Sequence, residues 1–236
     1  MDLSNLDGAI WINARVLVAE LSVDPTEAAK FVPPEMKMTD ESKATVFIAD
    51  YPETTFGSVY REAAVIMHCE DEKGAFRYCP WMVVDDDTAL ILGRELLGFP
   101  KKMAEIKLEE TNNHVIGTVS RKGVEVMRIE GSVEAEIAQP SPVFGVRMIN
   151  VFGSLIGGMK LLEIPPSSEK FKSANSVTAK VTLNSSDRDV LGGLSSPVEV
   201  DARLVTMDFG GNGELPALTK DIDLNWSLLN FFTRAN

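Results

Sequence analysis

Turn signals recur along this chain at short intervals, and each one separates two segments rich in Val, Ile and Leu. They fall at 72–74, at the three aspartates 85–87, at Asn112 with Asn113, and at Lys122 with Gly123. Apolar runs punctuated in this way predict successive antiparallel hairpins, a meander that closes into a barrel or a sandwich. Further strands are expected at 176–183 and 198–208. At 236 residues the chain fits one domain spanning 1–236, large enough to bury a sizeable core.

Two segments depart from the strand pattern. Asp24, Pro25, Thr26 and Glu27 supply a helix N-cap, a proline at the first helical position and the acid of a capping box, and Pro33 with Pro34 ends that helix. In 143–155, Val146, Ile149, Phe152 and Leu155, with Ile156 just beyond, recur at helical spacing. A helix packed against or plugging the sheet is expected there, although Gly153, Gly157 and Gly158 weaken it. The loop 210–213 is followed by Pro216 and by no helical face, so it reads as a turn rather than a nucleotide cradle. Asp85, Asp86 and Asp87 lack the spaced ligands of a calcium loop and read as a solvated turn.

The net charge of -12 and pI near 4.7 argue against a nucleic-acid partner, which would require clustered Lys and Arg. The N-terminus lacks a basic region followed by an apolar one, and no stretch approaches the length of a membrane span. A cytoplasmic location with no membrane partner is expected. Cys69 and Cys79 fall in one hairpin whose register sets Cys69 opposite Phe76 and Cys79 opposite Ile66, so they are expected to be reduced, buried and inert. His68 and His114 are too few and too scattered for a metal cluster, and no metal or cofactor is implied.

The chemistry is carried by 93–103, GRELLGFPKKM. An apolar segment, 88–92 (TALIL), reads as a strand leading into it, and Lys101 and Lys102 close a nearly uncharged run. A lysine held against such a surface loses part of its preference for the ammonium form through desolvation, and a second ammonium beside it acts in the same direction. A free amine in an apolar pocket is what attack on a carbonyl to form a Schiff base requires. The same pair on a solvated turn would be two ordinary lysines.

This run resembles the active-site segment of the acetoacetate decarboxylase family, through Gly93, Arg94, Glu95, Gly98, Phe99, Pro100, Lys101, Lys102 and Met103. Tyr60, Arg61 and Glu62 resemble a family segment with a tyrosine two residues before a functional glutamate, and 30–36 (KFVPPEM) resembles a family proline turn. The resemblance covers roughly residues 10–165. It implies a mainly β fold with a few helices, a closed antiparallel double-layer β-cone or barrel with the active site inside. It also implies a homo-oligomer and cofactor-independent decarboxylation of acetoacetate or a related β-keto acid.

Carried over from the family, Lys101 is the Schiff-base nucleophile. If it enters the cavity, strand alternation turns Lys102 away, which makes desolvation the larger activating effect. Lys102, however, shares the phase of the apolar Ala104, Ile106 and Leu108, so it is kept as the rival. Glu62 would orient the carbinolamine or iminium and move its protons; the alternative is a surface acid paired with Arg61. Arg15, within the apolar run 10–21, is the candidate contact for the substrate carboxylate. Its alignment needs a one-residue gap, without which Ala14 takes the place. A second family glutamate corresponds to Phe47 here. Relatives retain the lysine while performing aldol or dehydration chemistry, so a Schiff-base aldolase or dehydratase remains open. A non-catalytic barrel binding a small acid is the third reading.

Overall fold

The computed structural model describes residues 7–154 and 156–235, with side chains described over 10–154 and 156–230. In chain order the first half comprises β1 (Asp7–Ser22), α1 (Pro25–Ala29), β2 (Lys37–Met38), β3 (Lys43–Tyr51), β4 (Glu53–Thr54), β5 (Tyr60–Asp71), β6 (Gly74–Val84), α2 (Asp87–Leu97) and β7 (Lys101–Met103). The second half comprises β8 (Glu105–Thr111), β9 (His114–Arg121), β10 (Val124–Glu136), β11 (Met148–Ser154), β12 (Gly158–Ile164), β13 (Ser168–Leu183), β14 (Val198–Asn212), β15 (Ala217–Asp221) and α3 (Leu224–Ala235).

The fifteen strands among the described residues form one sheet, twelve of them in the order β15-β12-β11-β6-β5-β3-β1-β14-β13-β10-β9-β8, with β2 paired to β5, β4 to β1 and β7 to β6. The path ends at two edges, β8 and β15, so the hydrogen-bonded sheet is not closed into the expected barrel. Most pairings are antiparallel, but β6 pairs in parallel with both β7 and β11. The hairpins at 72–74, 112–113 and 122–123 form as the turn residues require, with Asn112 and Lys122 at positive φ.

The central strands are buried on both faces, which is why they read as nearly continuous apolar runs rather than alternating ones. One face carries Leu17, Ala19, Val46, Ile48, Ala63, Val65 and Met67. The hairpins β8–β10 fold over this face, close enough that a Cβ on Gly117 would lie 2.7 Å from Ile48. The other face carries Val16, Val18, Phe47, Ala49, Tyr51, Tyr60 and Ala64. It is concave: Phe209 on β14 and Tyr51 on β3 approach within 5.9 Å across the intervening β1.

Three local expectations are corrected. Residues 88–92 are not a strand but the first half of α2. Asp86 caps it by accepting from Ala89 N, Gly98 ends it at φ 64, and its buried residues are Ala89 and Gly93, four apart. Asp86 is therefore a cap rather than part of a hairpin turn. Residues 143–147 are irregular and Met148–Ser154 is a strand, not a helix. The run Met148 to Val151 is buried at every position, and Gly153 at φ 120 with Gly158 at φ 81 turns the chain into β12. Leu155 lies outside the described residues. In the β5–β6 hairpin Cys69 does face Phe76, but a register shift after Val65 removes Ile66 from the pairing with Cys79. Neither cysteine is in a disulfide and both are buried; Cys79 Sγ donates to Trp81 O at 3.4 Å, and burial pushes Cys69 up to about 12, which keeps it unreactive. At α1 the Asp24 side chain accepts from Thr26 N and Glu27 N, while its own N–H goes to Leu194 rather than back to Glu27.

His68, on the concave face of β5, shows how strongly that face excludes water. Burial first, then Arg77 and Lys43, lower its pKa to about 4, and Nε2 sits 2.8 Å from Thr45 Oγ1. The native ring stays neutral while the unfolded ring takes up a proton below its ordinary value near 6.5. This contribution to stability is therefore full above pH ~6.5 and is lost as pH falls toward ~4. Thermal unfolding between pH 7 and 4 should show a shallower loss of stability in His68→Gln than in the wild type; parallel curves would contradict the assignment.

Candidate active site

Alternation along β7 sends the two lysines to opposite faces of the sheet. Lys101 is aligned with Met82, on the concave face, and Lys102 with Val83, on the face covered by β8–β10. The shared phase of Lys102 and Ile106 is thus real, and it belongs to the covered face.

On the concave side Lys101 Nζ lies 2.6 Å from Glu62 Oε2, and the two side chains are only 6% and 8% exposed. Oε2 has no aligned hydrogen-bond donor among the described residues, so the contact is an ion pair without a directed bond. The other carboxylate oxygen accepts a long 3.4 Å hydrogen bond from Tyr51 Oη. The Lys101 ammonium also sits 5.3 Å from the centre of the Tyr60 ring, a cation–π contact. Tyr60 Oη in turn accepts from Trp11 Nε1 at 2.8 Å. Burial and the Glu62 charge raise both phenols well above the ordinary tyrosine range, so both stay neutral.

Helix α2 covers the lysine, and Gly93 gives it room. A Cβ at Gly93 would lie 2.4 Å from Lys101 Cε and 2.9 Å from Nζ. Arg94, one residue on, donates from Nη1 to the Lys101 carbonyl at 3.0 Å and ties the helix to β7. The spacing Gly93, Arg94, Lys101 in the sequence therefore reports a packing requirement: a side-chain-free position, a clamp, and the lysine they position.

On the covered side Lys102 lies 3.4 Å from Asp189, whose carboxylate is fully buried and also accepts from Arg121 Nε and Trp81 Nε1, each at 2.8 Å. Burial, partly offset by Asp189, lowers the Lys102 pKa. Asp189 stands in the polar segment between β13 and β14, where nothing in the sequence singles it out.

Arg15 is not brought to Lys101. It shares the phase of Leu17 on the covered face, where it binds the Glu110 carboxylate through two hydrogen bonds of 2.7 Å and donates to Thr206 Oγ1. The concave-face position is occupied by Ala14. Glu62 does not pair with Arg61, which lies within reach of Asp50 and Asp85 instead. Phe47 is 1% exposed and packs edge-on against Phe144 at 5.3 Å, so the concave face is apolar where the resemblance implied a second acid. No group of three or more His, Cys, Asp and Glu among the described residues could hold a metal ion. No helix among them is long and apolar enough to cross a membrane.

Removing the charge of Asp189 leaves two buried cations facing each other. Asp189→Asn should lower stability in urea by about 3–5 kcal/mol, the usual cost of stripping one partner from a buried pair; a loss under about 1 kcal/mol would mean that the cluster is solvated.

Comparisons with known proteins place the chain in a family and a fold. The sequence model of the family "Acetoacetate decarboxylase (ADC)" matches residues 4–209. The acetoacetate decarboxylases of Burkholderia cenocepacia (strain HI2424) and Burkholderia multivorans are each 30% identical over 116 residues, 49% of this chain and 47% of theirs. The chain thus spans about half the length of the curated relatives it matches. Among solved structures, acetoacetate decarboxylase from Legionella pneumophila superposes with a TM-score of 0.75 at 16% identity, covering 91% of this chain and 88% of that one. The enduracididine biosynthesis enzyme MppR, solved with a condensation product of pyruvate and imidazole 4-carboxaldehyde, gives 0.76 at 18% identity, covering 92% of each chain. At such identities these two structures bear on the fold alone. With the family match extending over the strands that carry Glu62 and Lys101, the chain belongs to the acetoacetate decarboxylase family.

Proposed function

We propose that this protein decarboxylates acetoacetate or a related β-keto acid through a Schiff base on Lys101. The observation that carries the reading is the Lys101–Glu62 pair, 2.6 Å apart and almost fully buried on an apolar, aromatic face. Glu62 takes a proton from Nζ, and the freed amine adds to the ketone carbon to give a carbinolamine. Glu62 returns the proton to the departing hydroxyl, and loss of water leaves the iminium. The bond to the carboxylate carbon then breaks, carbon dioxide leaves, and the electron pair flows into the iminium to form an enamine. Protonation of the enamine carbon and hydrolysis of the resulting iminium release the ketone and regenerate the lysine. The sum is one keto-acid anion and one proton converted to one ketone and one carbon dioxide.

The cation–π contact with Tyr60 and the hydrogen bond from Tyr51 fit this cycle, because they hold the positive iminium and the carboxylate in register without supplying a competing base. Arg15 lies on the other face, so the proposed site has no arginine from β1 on the carboxylate. Such a contact helps ground-state binding more than rate, since its charge is lost in the reaction.

The same absence, together with Phe47, favours one second reading: a Schiff-base aldolase or dehydratase acting on a different keto acid, in keeping with the pyruvate bound to the structural neighbour MppR. Product analysis separates the two. Carbon dioxide from acetoacetate supports the first, and condensation of pyruvate with an aldehyde supports the second. For the decarboxylase, Lys101→Ala should abolish carbon dioxide release and Glu62→Gln should slow it by about 10²–10⁴-fold. Lys102→Ala should retain chemistry if the protein stays folded. Gly93→Ala should reduce turnover at little cost to the helix, since its Cβ takes the space of the lysine side chain. Wild-type turnover in Lys101→Ala would refute the mechanism.

A further inference from the structure

Residues 137–147 join β10 to β11 and run across the concave face as a strap. At one end Ile137 N donates to Ala174 O on β13, and at the other Arg147 O accepts from Arg77 N on β6. Those two strands are separated in the sheet by β14, β1, β3 and β5. The middle of the strap is pinned from below. The Glu169 carboxylate accepts from Val143 N and Phe144 N, and Arg203 Nη1 donates to Ser141 O.

Pinning at that point drives the Phe144 ring down into the sheet. Its centre is 4.6 Å from Phe209 and 5.3 Å from Phe47. Phe47 shares a cross-strand row with the nucleophile, through Ala64 and Met82 to Lys101. A second connection runs through rings: Phe209 to Tyr51 at 5.9 Å, Tyr51 to Tyr60 at 4.9 Å, and Tyr60 to Lys101 Nζ at 5.3 Å. With Lys101 and Glu62 both buried, a ketone reaches Nζ only if part of this cover yields. The central strands are hydrogen-bonded on both sides and α2 is clamped by Arg94, whereas the strap is held by isolated backbone bonds at Ile137, Phe144 and Arg147 and by the Glu169 and Arg203 contacts.

We infer that Phe144 is the specificity-determining residue of the Lys101 site, its ring standing where the substituent on the ketone carbon of the keto acid would lie. This inference rests on the Schiff-base reading above. The Phe144 ring packs against Phe47 and Phe209, and Phe209 against Tyr51, so a substituent that displaces it must be uncharged and apolar: a charged one would be desolvated there with no counter-charge. The limit on its size is set by how far Phe144 yields.

The test compares kcat/KM for acetoacetate, with its methyl substituent, and for 3-oxo-3-phenylpropanoate, with a phenyl group. Phe144→Ala should shift the ratio toward the phenyl acid by at least about tenfold, the discrimination that one or two misplaced methylene equivalents provide in an apolar pocket. Phe144→Leu, which keeps the strap packed, should shift it in the same direction by less. Phe171→Ala removes a ring that packs on the same cluster from β13, outside the chain of rings, and should leave the ratio unchanged. An unchanged ratio in both Phe144 variants, or an equal shift in Phe171→Ala, overturns the inference while leaving the function intact. If wild-type protein turns over neither acid, the functional reading fails and this inference fails with it.

Discussion

The structure depends on a single physical constraint: two consecutive lysines on one buried strand must each find an anion, and strand geometry forces those anions onto opposite faces. Burying an ammonium without a partner costs several kcal/mol, and a buried pair about breaks even when its geometry is good. Glu62 on β5 meets Lys101 on the concave face, and Asp189 meets Lys102 on the covered face. A slip of β7 by one residue would exchange the two lysines and leave both carboxylates misplaced. The pair of ion contacts therefore fixes the register of a three-residue strand that has few other means of holding it.

The two environments differ in a way that suits different tasks. Asp189 is saturated, with Lys102, Arg121 and Trp81 around it, and nothing there is left to react. Glu62 holds one cation and one distant phenol, and its Oε2 lacks an aligned donor, so it is the less saturated of the two carboxylates. Gly93 and Arg94 then act as mechanical parts: one leaves the space that Lys101 fills, and the other ties helix to strand. The strap over the face completes an enclosure in which the lysine is surrounded by rings and aliphatic groups rather than water.

Much of this was legible in the sequence, for identifiable reasons. Hairpins at 72–74, 112–113 and 122–123 follow from local turn chemistry, and the opposite orientation of Lys101 and Lys102 follows from the period of a strand. The helix α2 was missed because TALIL is a short apolar run, for which periodicity does not separate helix from strand. The deciding signals were its caps, Asp86 and Gly98, at either end. The false helix at 143–155 arose from helical spacing in a segment whose burial is decided by tertiary contacts on both faces. Arg15 stands out in the sequence because an arginine in an apolar run needs a partner. Its partner is Glu110, far away in sequence and beyond any local pattern. Asp189 and Phe144 carry no local signal at all, since their importance comes from the chain segments that cross above and below the lysine strand.

The central claim is that Lys101, and not its neighbour, forms the covalent intermediate. Borohydride reduction of the protein in the presence of acetoacetate, followed by peptide mass spectrometry, tests it most directly. Reduction after loss of carbon dioxide leaves an isopropyl group on the attacking nitrogen. That group is expected on Lys101, dependent on the keto acid and absent from Lys102. An adduct on Lys102, or none under conditions that label an established Schiff-base enzyme, would contradict it.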